Sequence, residues 1–195
     1  MLTNEKRNLL LLLARESIAE HLTGLKSKLY QKIRNEEIQE DLLTENGVFV
    51  TLKRKDIPDE GLALRGCIGN ILGKLPLYES IRRLSVEAAV DDPRFQPVDG
   101  LDELNSLVIE ISILTIPKQV SDYSEILVGR DGILLFCQSR SAVFLPQVAT
   151  EQGWGLEETL MHLSQKAGLG VNGWKTRKCQ FYVFQAEVFS ENSYA

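Results

Sequence analysis

The chain has 195 residues, of which 44% are hydrophobic and 25% are charged, a balance typical of a globular protein rather than a disordered or collagen-like one. This length suffices for one well-buried core, or for two lobes that share an interface, so we treat the chain as a single unit. The formal net charge of −5 opposes binding to a phosphate backbone and makes nucleic-acid binding an unfavourable interpretation.

Apolar residues at helical spacing predict a long N-terminal helix, from about Thr3 into the early thirties, with Gly24 as its weakest position. The run Leu9–Leu13 resembles a signal-peptide core, but Arg15 and Glu16 interrupt it and no small-residue cleavage site follows. It is also too short to span a bilayer. We therefore expect these leucines to pack against a core and not to anchor the protein in a membrane.

The next segment combines strand patterns with turn residues. Residues 47–53 predict a strand, and a turn follows around residues 58–61. Residues 62–72 are apolar but are interrupted by Gly66 and Gly69, which favours a strand, a tight bend and a second strand.

Two elements in the middle of the chain have a clear period. Pro76 suits the first turn of a helix, and apolar residues recur at helical spacing from there until Asp91, because Pro93 disfavours a helical residue before it. Residues 107–115 alternate strictly, with Glu110 on the more polar face, and predict a central strand.

The C-terminal half contains more strands than helices. A turn at 129–132 precedes the other predicted elements, which are strands at 133–137 and 142–145, a helix from Leu156 that Gly168 ends, and a last strand at 180–189. Strands interrupted by unevenly spaced helices, without a regular βαβ order, predict an α+β fold.

The cysteines and histidines do not form a recognisable metal site. Cys67, Cys137 and Cys179 are far apart, and an odd number cannot pair fully within the chain, so reduced thiols in the cytoplasm fit best. His21 and His162 are isolated, and no zinc, haem or iron–sulfur ligand set can be recognised. The sequence therefore predicts no metal and identifies no cofactor.

The segment around Cys67 is the best candidate for chemistry. Gly66 and Gly69 would let the backbone bend and approach a ligand, which would uncover the thiol. In an extended segment, Arg65 and Cys67 would lie on one face, where a guanidinium stabilises the reactive thiolate. The alternative is that Cys67 is a small buried hydrophobic residue and that the glycines serve a bulge.

Three further residues are candidates, each with a structural alternative. Arg94, in the rigid turn Asp91–Phe95, could bind a carboxylate or phosphate, or it could lie in solvent. Glu110 could transfer protons, or it could face water from a half-exposed sheet. Gln147, at the start of a helical turn, could bind a ligand through its amide, or it could be solvated.

A set of motifs, in order and spacing, resembles the AMMECR family: Leu64–Gly69, Asp92–Phe95, Glu110–Ser112, Gly129–Gly132, Phe144–Ala149, Gly153–Trp154 and Lys166–Leu169. The resemblance implies an α+β fold of two lobes, with a mixed or antiparallel sheet and flanking helices. It implies one AMMECR domain over residues 1–195 with two interleaved subdomains, in which the Arg65–Gly69 segment lines or supports a cleft. Prokaryotic members resemble the first component of a set that includes a Memo-type protein and a radical S-adenosylmethionine enzyme, so these are candidate partners.

Two functions follow as hypotheses. In the first, the protein is an enzyme whose cleft uses Cys67 as the nucleophile or as a metal-binding thiolate. Glu110 moves protons, and Arg65 and Arg94 hold an anionic substrate. In the second, the same cleft recognises a peptide or small ligand through Arg65 and Gln147, and the protein is an adaptor without catalytic activity.

Overall fold

Helices and strands are intermixed along the chain, and the predicted α+β class is confirmed by the computed structural model, which describes residues 1–35, 40–54, 62–176 and 178–191. The elements are α1 Asn4–Thr23, α2 Lys28–Asn35, α3 Glu40–Leu43, β1 Gly47–Arg54, β2 Ala63–Asn70, α4 Leu77–Val90, α5 Leu101–Ser106, β3 Leu107–Leu114, β4 Lys118–Val120, β5 Gly132–Cys137, β6 Arg140–Phe144, α6 Pro146–Gln152, α7 Leu156–Lys166, β7 Cys179–Phe184 and β8 Ala186–Ser190. None of the helices in these ranges is long and apolar enough to cross a membrane.

The chain divides into two units that we describe separately. The first comprises Met1–Ile113 together with the residues from Glu187 onward, and the second is Leu114–Ala186, which interrupts the first in sequence. The predicted turn at 58–61 lies outside the described residues.

The first unit is a four-stranded sheet, in the order β2-β1-β3-β8, with helices on one side. Strictly alternating residues of β1 and β3 join α1 and α4 in one hydrophobic core, because successive side chains of a strand point to opposite faces. From β1 the core takes Val48, Val50 and Leu52. We call this the helix side of the sheet, and the opposite face, which carries Thr51 and Lys53, the polar face.

The second unit has its own sheet, in the order β4-β7-β5-β6, with antiparallel neighbours throughout. Its core lies between this sheet and α7, where Leu160 and Leu163 pack with Leu135, Trp174 and Phe181. As predicted, α7 ends before Gly168, which adopts the left-handed conformation with φ 72°.

The predicted long N-terminal helix is wrong, because the chain forms two helices there. Helix α1 begins after Thr3, whose hydroxyl caps it by accepting from the N–H of Lys6, and ends at Gly24 in the left-handed conformation with φ 71°. The chain resumes helical structure only at Lys28. Apolar residues recur at helical spacing on both sides of Gly24, but the left-handed conformation of this glycine ends the helix.

The predicted last strand, 180–189, is also two strands. Strands β7 and β8 belong to different sheets, and Gln185 separates them. The N–H of Gln185 donates to the hydroxyl of Thr115, and its carbonyl accepts from the N–H of Thr115. These two hydrogen bonds satisfy the backbone where the chain leaves one sheet for the other.

The expectation of three reduced thiols is wrong for two of the cysteines. Cys137 and Cys179 form a disulfide across strands β5 and β7, where they are directly paired in register. They are 42 residues apart in sequence, so no motif of closely spaced cysteines indicates the pair. Cys67 remains as the free cysteine.

Candidate functional site on the first sheet

The glycines beside Cys67 do not bend the chain. Strand β2 is continuous from Ala63 to Asn70, so the predicted tight bend is wrong. A Cβ on Gly66 would lie 2.2 Å from the carbonyl oxygen of Ala88 in α4. A Cβ on Gly69 would lie 2.3 Å from the ring of Phe49, its cross-strand partner. Both glycines therefore allow close packing, of a helix in one case and of an aromatic ring in the other.

A β-bulge at Arg65 separates this arginine from Cys67. Gly66 pairs with Leu52 but Leu64 pairs with Lys53, so β2 contains one extra residue at this point. The bulge shifts the alternation of side chains and turns Arg65 to the helix side, whereas Cys67 points to the polar face. The expectation that both side chains share a face is wrong for this reason.

Arg65 forms a buried ion pair on the helix side. Its Nε donates to Glu103 of α5 at 2.7 Å, and Arg54 lies 3.9 Å from the same carboxylate. Burial alone would raise the pKa of Glu103, but the hydrogen bonds from Arg65 and from the N–H of Asp99 lower it below its usual value. Arg65 therefore joins β2 to α5, and its role in substrate binding stays a prediction.

The backbone of Cys67 is held from the outer edge of β2 by the Asp92–Arg94 turn. The N–H of Cys67 donates to Oδ2 of Asp92 at 2.8 Å, and its carbonyl accepts from Nη2 of Arg94 at 3.2 Å. Arg94 also donates to both carboxylate oxygens of Asp92. The two side chains thus satisfy the edge strand in place of a neighbouring strand.

Replacement of Asp92 by alanine is expected to lower the free energy of unfolding by about 2 kcal/mol, because it leaves a backbone N–H and a guanidinium without their acceptor. The hydrogen bond from Arg94, and further ones from backbone N–H groups, hold the pKa of Asp92 well below its usual range. A depressed pKa in the folded state stabilises the protein above the unfolded value near 4 and ceases to do so as the pH falls through the folded value.

Urea unfolding of the wild type and Asp92→Ala at neutral and acidic pH measures this contribution. The difference between the two should be largest at neutral pH and should shrink under acid. A difference that grows as the pH falls would contradict the assigned pairing.

Cys67 is a partly exposed residue, and its sulfur has a polar neighbour. The hydroxyl of Thr51, the cross-strand partner of Cys67, donates to Sγ at 3.3 Å. The sequence analysis did not identify Thr51 as a site residue. Its place between Val50 and Leu52, in an alternating strand, nevertheless indicates that its side chain is on the polar face.

An ion pair occupies the same face, across β1 and β3. Nζ of Lys53 lies 2.8 Å from Oε2 of Glu110, and both side chains are largely buried. Nearby in β3, Oγ of Ser112 is buried and has no hydrogen-bond partner in the described part of the chain. The polar face therefore contains Cys67, Thr51, Lys53 and Glu110, of which the sequence singled out the first and last.

The remaining candidates lie elsewhere. Gln147 belongs to the second unit, in the first turn of α6, and no described residue bonds to its buried Oε1. Its contribution to the site stays a prediction. His21 is in the last turn of α1, and His162 stacks on Trp154 in the second unit. In residues 1–35, 40–54, 62–176 and 178–191, no three of His, Cys, Asp and Glu form a group that could hold a metal ion.

The comparisons identify the family. The AMMECR1 family model matches residues 11–189, which is most of the chain. The chain belongs to the AMMECR1 family. Protein MK0488 of Methanopyrus kandleri is 40% identical over 97% of the chain and 90% of its own length. Protein PF1979 of Pyrococcus furiosus is 41% identical over 92% of the chain and 85% of its own length.

A solved structure in the AMMECR1 family has the same fold. The crystal structure of uncharacterized protein PH0010 from Pyrococcus horikoshii superposes with a TM-score of 0.86 at 38% identity, over 97% of this chain and 93% of that one. The predicted family and fold class are thereby confirmed.

Proposed function

We propose that this AMMECR1 protein is a thiol-dependent enzyme whose nucleophile is Cys67. The observation that supports this is the restraint on one residue by three side chains: Asp92 and Arg94 hold its backbone, and Thr51 holds its sulfur. A cysteine that only fills space needs no polar partner for its sulfur. A nucleophile does need a fixed position, which these three contacts give to Cys67.

The other groups of the polar face have roles in the same proposal. Glu110 moves protons to and from the reacting group, and Lys53, its ion-pair partner, supplies the positive charge that we had expected from Arg65. Arg94, whose side chain is 54% exposed, keeps donor capacity for an anionic group of the substrate. Arg65, Gly66 and Gly69 support the strand that presents the thiol.

Alkylation of Cys67 by iodoacetamide in the native protein tests the proposal. We expect Cys67 to react faster than a model thiol at the same pH, because Thr51 donates to its sulfur while Asp92 and Arg94 fix its backbone. Thr51→Val, which keeps the shape of the side chain, should slow the reaction by up to about tenfold, the effect of one hydrogen bond.

Thr44→Val is the matched control, since the hydroxyl of Thr44 donates only to the carbonyl of Asp41 on an exposed turn. This variant should alkylate at the wild-type rate. A Cys67 that reacts no faster than the model thiol in the folded protein would remove the nucleophile from the proposal.

A second candidate is a binding module without catalysis. It is favoured by the ion pair between Glu110 and Lys53, which engages the carboxylate that would otherwise move protons. Cys67→Ser discriminates the two, because the hydroxyl preserves size and hydrogen bonding but not the nucleophilicity of sulfur. Full cellular function of Cys67→Ser, with loss in Lys53→Gln, would favour binding.

The resemblance adds a setting to the proposal. We place the protein in the cytoplasm, in a pathway with a Memo-type protein and a radical S-adenosylmethionine enzyme. Metabolite profiles of a deletion strain and of a strain that carries Cys67→Ala check this setting. Both should accumulate the same compound, and the strain without the radical enzyme should share part of that profile.

A further inference from the structure

A cavity of about 410 Å³ lies in the first unit between the end of α1, the loop that follows it and helix α4. We call it the α4 cavity. Six ionisable residues contribute to its lining: Glu20, His21, Lys26, Arg82, Arg83 and Glu87. It shares no lining residue with the polar face of the sheet, so it requires an explanation separate from Cys67.

The two arginines of the α4 cavity differ from most others in the chain. Five arginines have a guanidinium nitrogen 2.6–2.7 Å from a carboxylate oxygen: Arg7, Arg15, Arg65, Arg94 and Arg130. Arg82 approaches Glu20 only to 3.9 Å, and Arg83 approaches Glu87 only to 3.7 Å. Within the described ranges, neither guanidinium donates a hydrogen bond, so both retain their N–H groups for another acceptor.

Arg82 is nevertheless held in place. Its guanidinium stacks over the ring of Tyr30 at 4.3 Å, and the hydroxyl of Tyr30 donates to Glu79 at 2.7 Å. Stacking engages the face of the guanidinium and leaves its N–H edges available. A positioned arginine whose N–H groups donate no hydrogen bond among the described residues is the arrangement that a carboxylate or phosphate recognises.

The charge of the lining supports the same conclusion. Lys26, Arg82 and Arg83 outnumber the two carboxylates, in a chain whose net charge is −5. The negative pole at the end of α1 explains basic groups on its last turn and in the next loop, such as His21 and Lys26. It does not explain two adjacent arginines on α4, which lie on a different helix.

We propose that the α4 cavity binds a small organic oxyanion, a carboxylate or a phosphate ester, through Arg82, Arg83 and Lys26. A neighbouring cavity of about 290 Å³ shares Arg83 and Glu87 with it and adds Asn70, Ser80 and Lys74 to the lining. Neutral amide and hydroxyl groups there receive the uncharged polar part of the same ligand. The site therefore takes a molecule with an anionic end and a hydroxylated or amide-bearing body.

Calorimetric titration of the full chain with inorganic phosphate, and separately with acetate, at low ionic strength tests the proposal. We expect saturable binding of at least one anion, and a rise in the melting temperature that follows its concentration. Arg83→Gln should weaken binding about tenfold, as the loss of one charge-assisted hydrogen bond does. Lys26→Gln, also at an exposed position, should act in the same direction.

Lys118→Gln is the matched control, because it removes one exposed positive charge from strand β4 of the second unit. Cys67→Ala should leave anion binding unchanged, which separates this site from the proposed nucleophile. Phosphate binding without acetate binding would assign the site to phosphate esters, and acetate binding without phosphate binding would assign it to carboxylates. Absence of saturable binding by either anion, or an equal loss in Lys118→Gln, would overturn the proposal.

Discussion

Gly66→Ala is expected to lower the free energy of unfolding by about 3 kcal/mol, among the largest effects of any single methyl group in this chain. The added Cβ would lie 2.2 Å from the carbonyl oxygen of Ala88, and this atom belongs to the backbone of α4. A backbone carbonyl cannot move aside as the end of a side chain can. Helix α4 would have to shift from β2, with the loss of packing against the sheet.

Urea unfolding of the purified variant measures this loss, and Gly170→Ala is its control. A Cβ on Gly170 meets no atom within 4 Å and its φ lies outside the left-handed region, so this change should alter stability by less than about 0.5 kcal/mol. If Gly66→Ala is as stable as Gly170→Ala but loses function, Gly66 contacts a ligand and its assignment to packing is wrong.

Local periodicity was sufficient for most of the elements. Strands β1 and β3 and helices α4 and α7 alternate or repeat in sequence, and the structure contains them close to the predicted bounds. Their pattern is a direct consequence of burying one face, which depends on neighbours within a few residues. Such elements can be identified without knowing what they pack against.

The errors concern features that depend on distant residues. The bulge at Arg65 arises from the pairing of β2 with β1, and the disulfide arises because β5 and β7 place Cys137 opposite Cys179. Neither register can be derived from spacing along one strand. The bulge has the larger consequence for the candidate site, because it places Arg65 on the side of the sheet opposite to Cys67.

The candidate site was therefore predicted in part. Cys67 and Glu110 were named from the sequence, but their partners Thr51 and Lys53 were not. The alternation of β1 shows that both residues are on the polar face. Only the strand order shows that β1 lies between β2, which carries Cys67, and β3, which carries Glu110. Asp92 holds the backbone of Cys67 across 25 residues of sequence, a contact that the local turn pattern does not indicate.

Glu103→Ala is expected to lower the free energy of unfolding by about 3 kcal/mol, because it leaves the buried guanidinium of Arg65 without its carboxylate. Arg65 is only 9% exposed, so water cannot easily replace the lost partner. The Nη1 atom of Arg65 already has no acceptor among the described residues. Removal of the one bound carboxylate therefore leaves a buried charge without compensation.

A double-mutant cycle with Arg65→Met determines whether the pair is structural. If Arg65 serves to hold β2 against α5, the double variant should be more stable than Glu103→Ala alone, since the uncompensated charge is then absent. Alkylation of Cys67 in the folded double variant should proceed at nearly the wild-type rate, because Thr51 still donates to the sulfur. A double variant that is stable but in which Cys67 has lost its reactivity would return Arg65 to the site as the cation that activates the thiol.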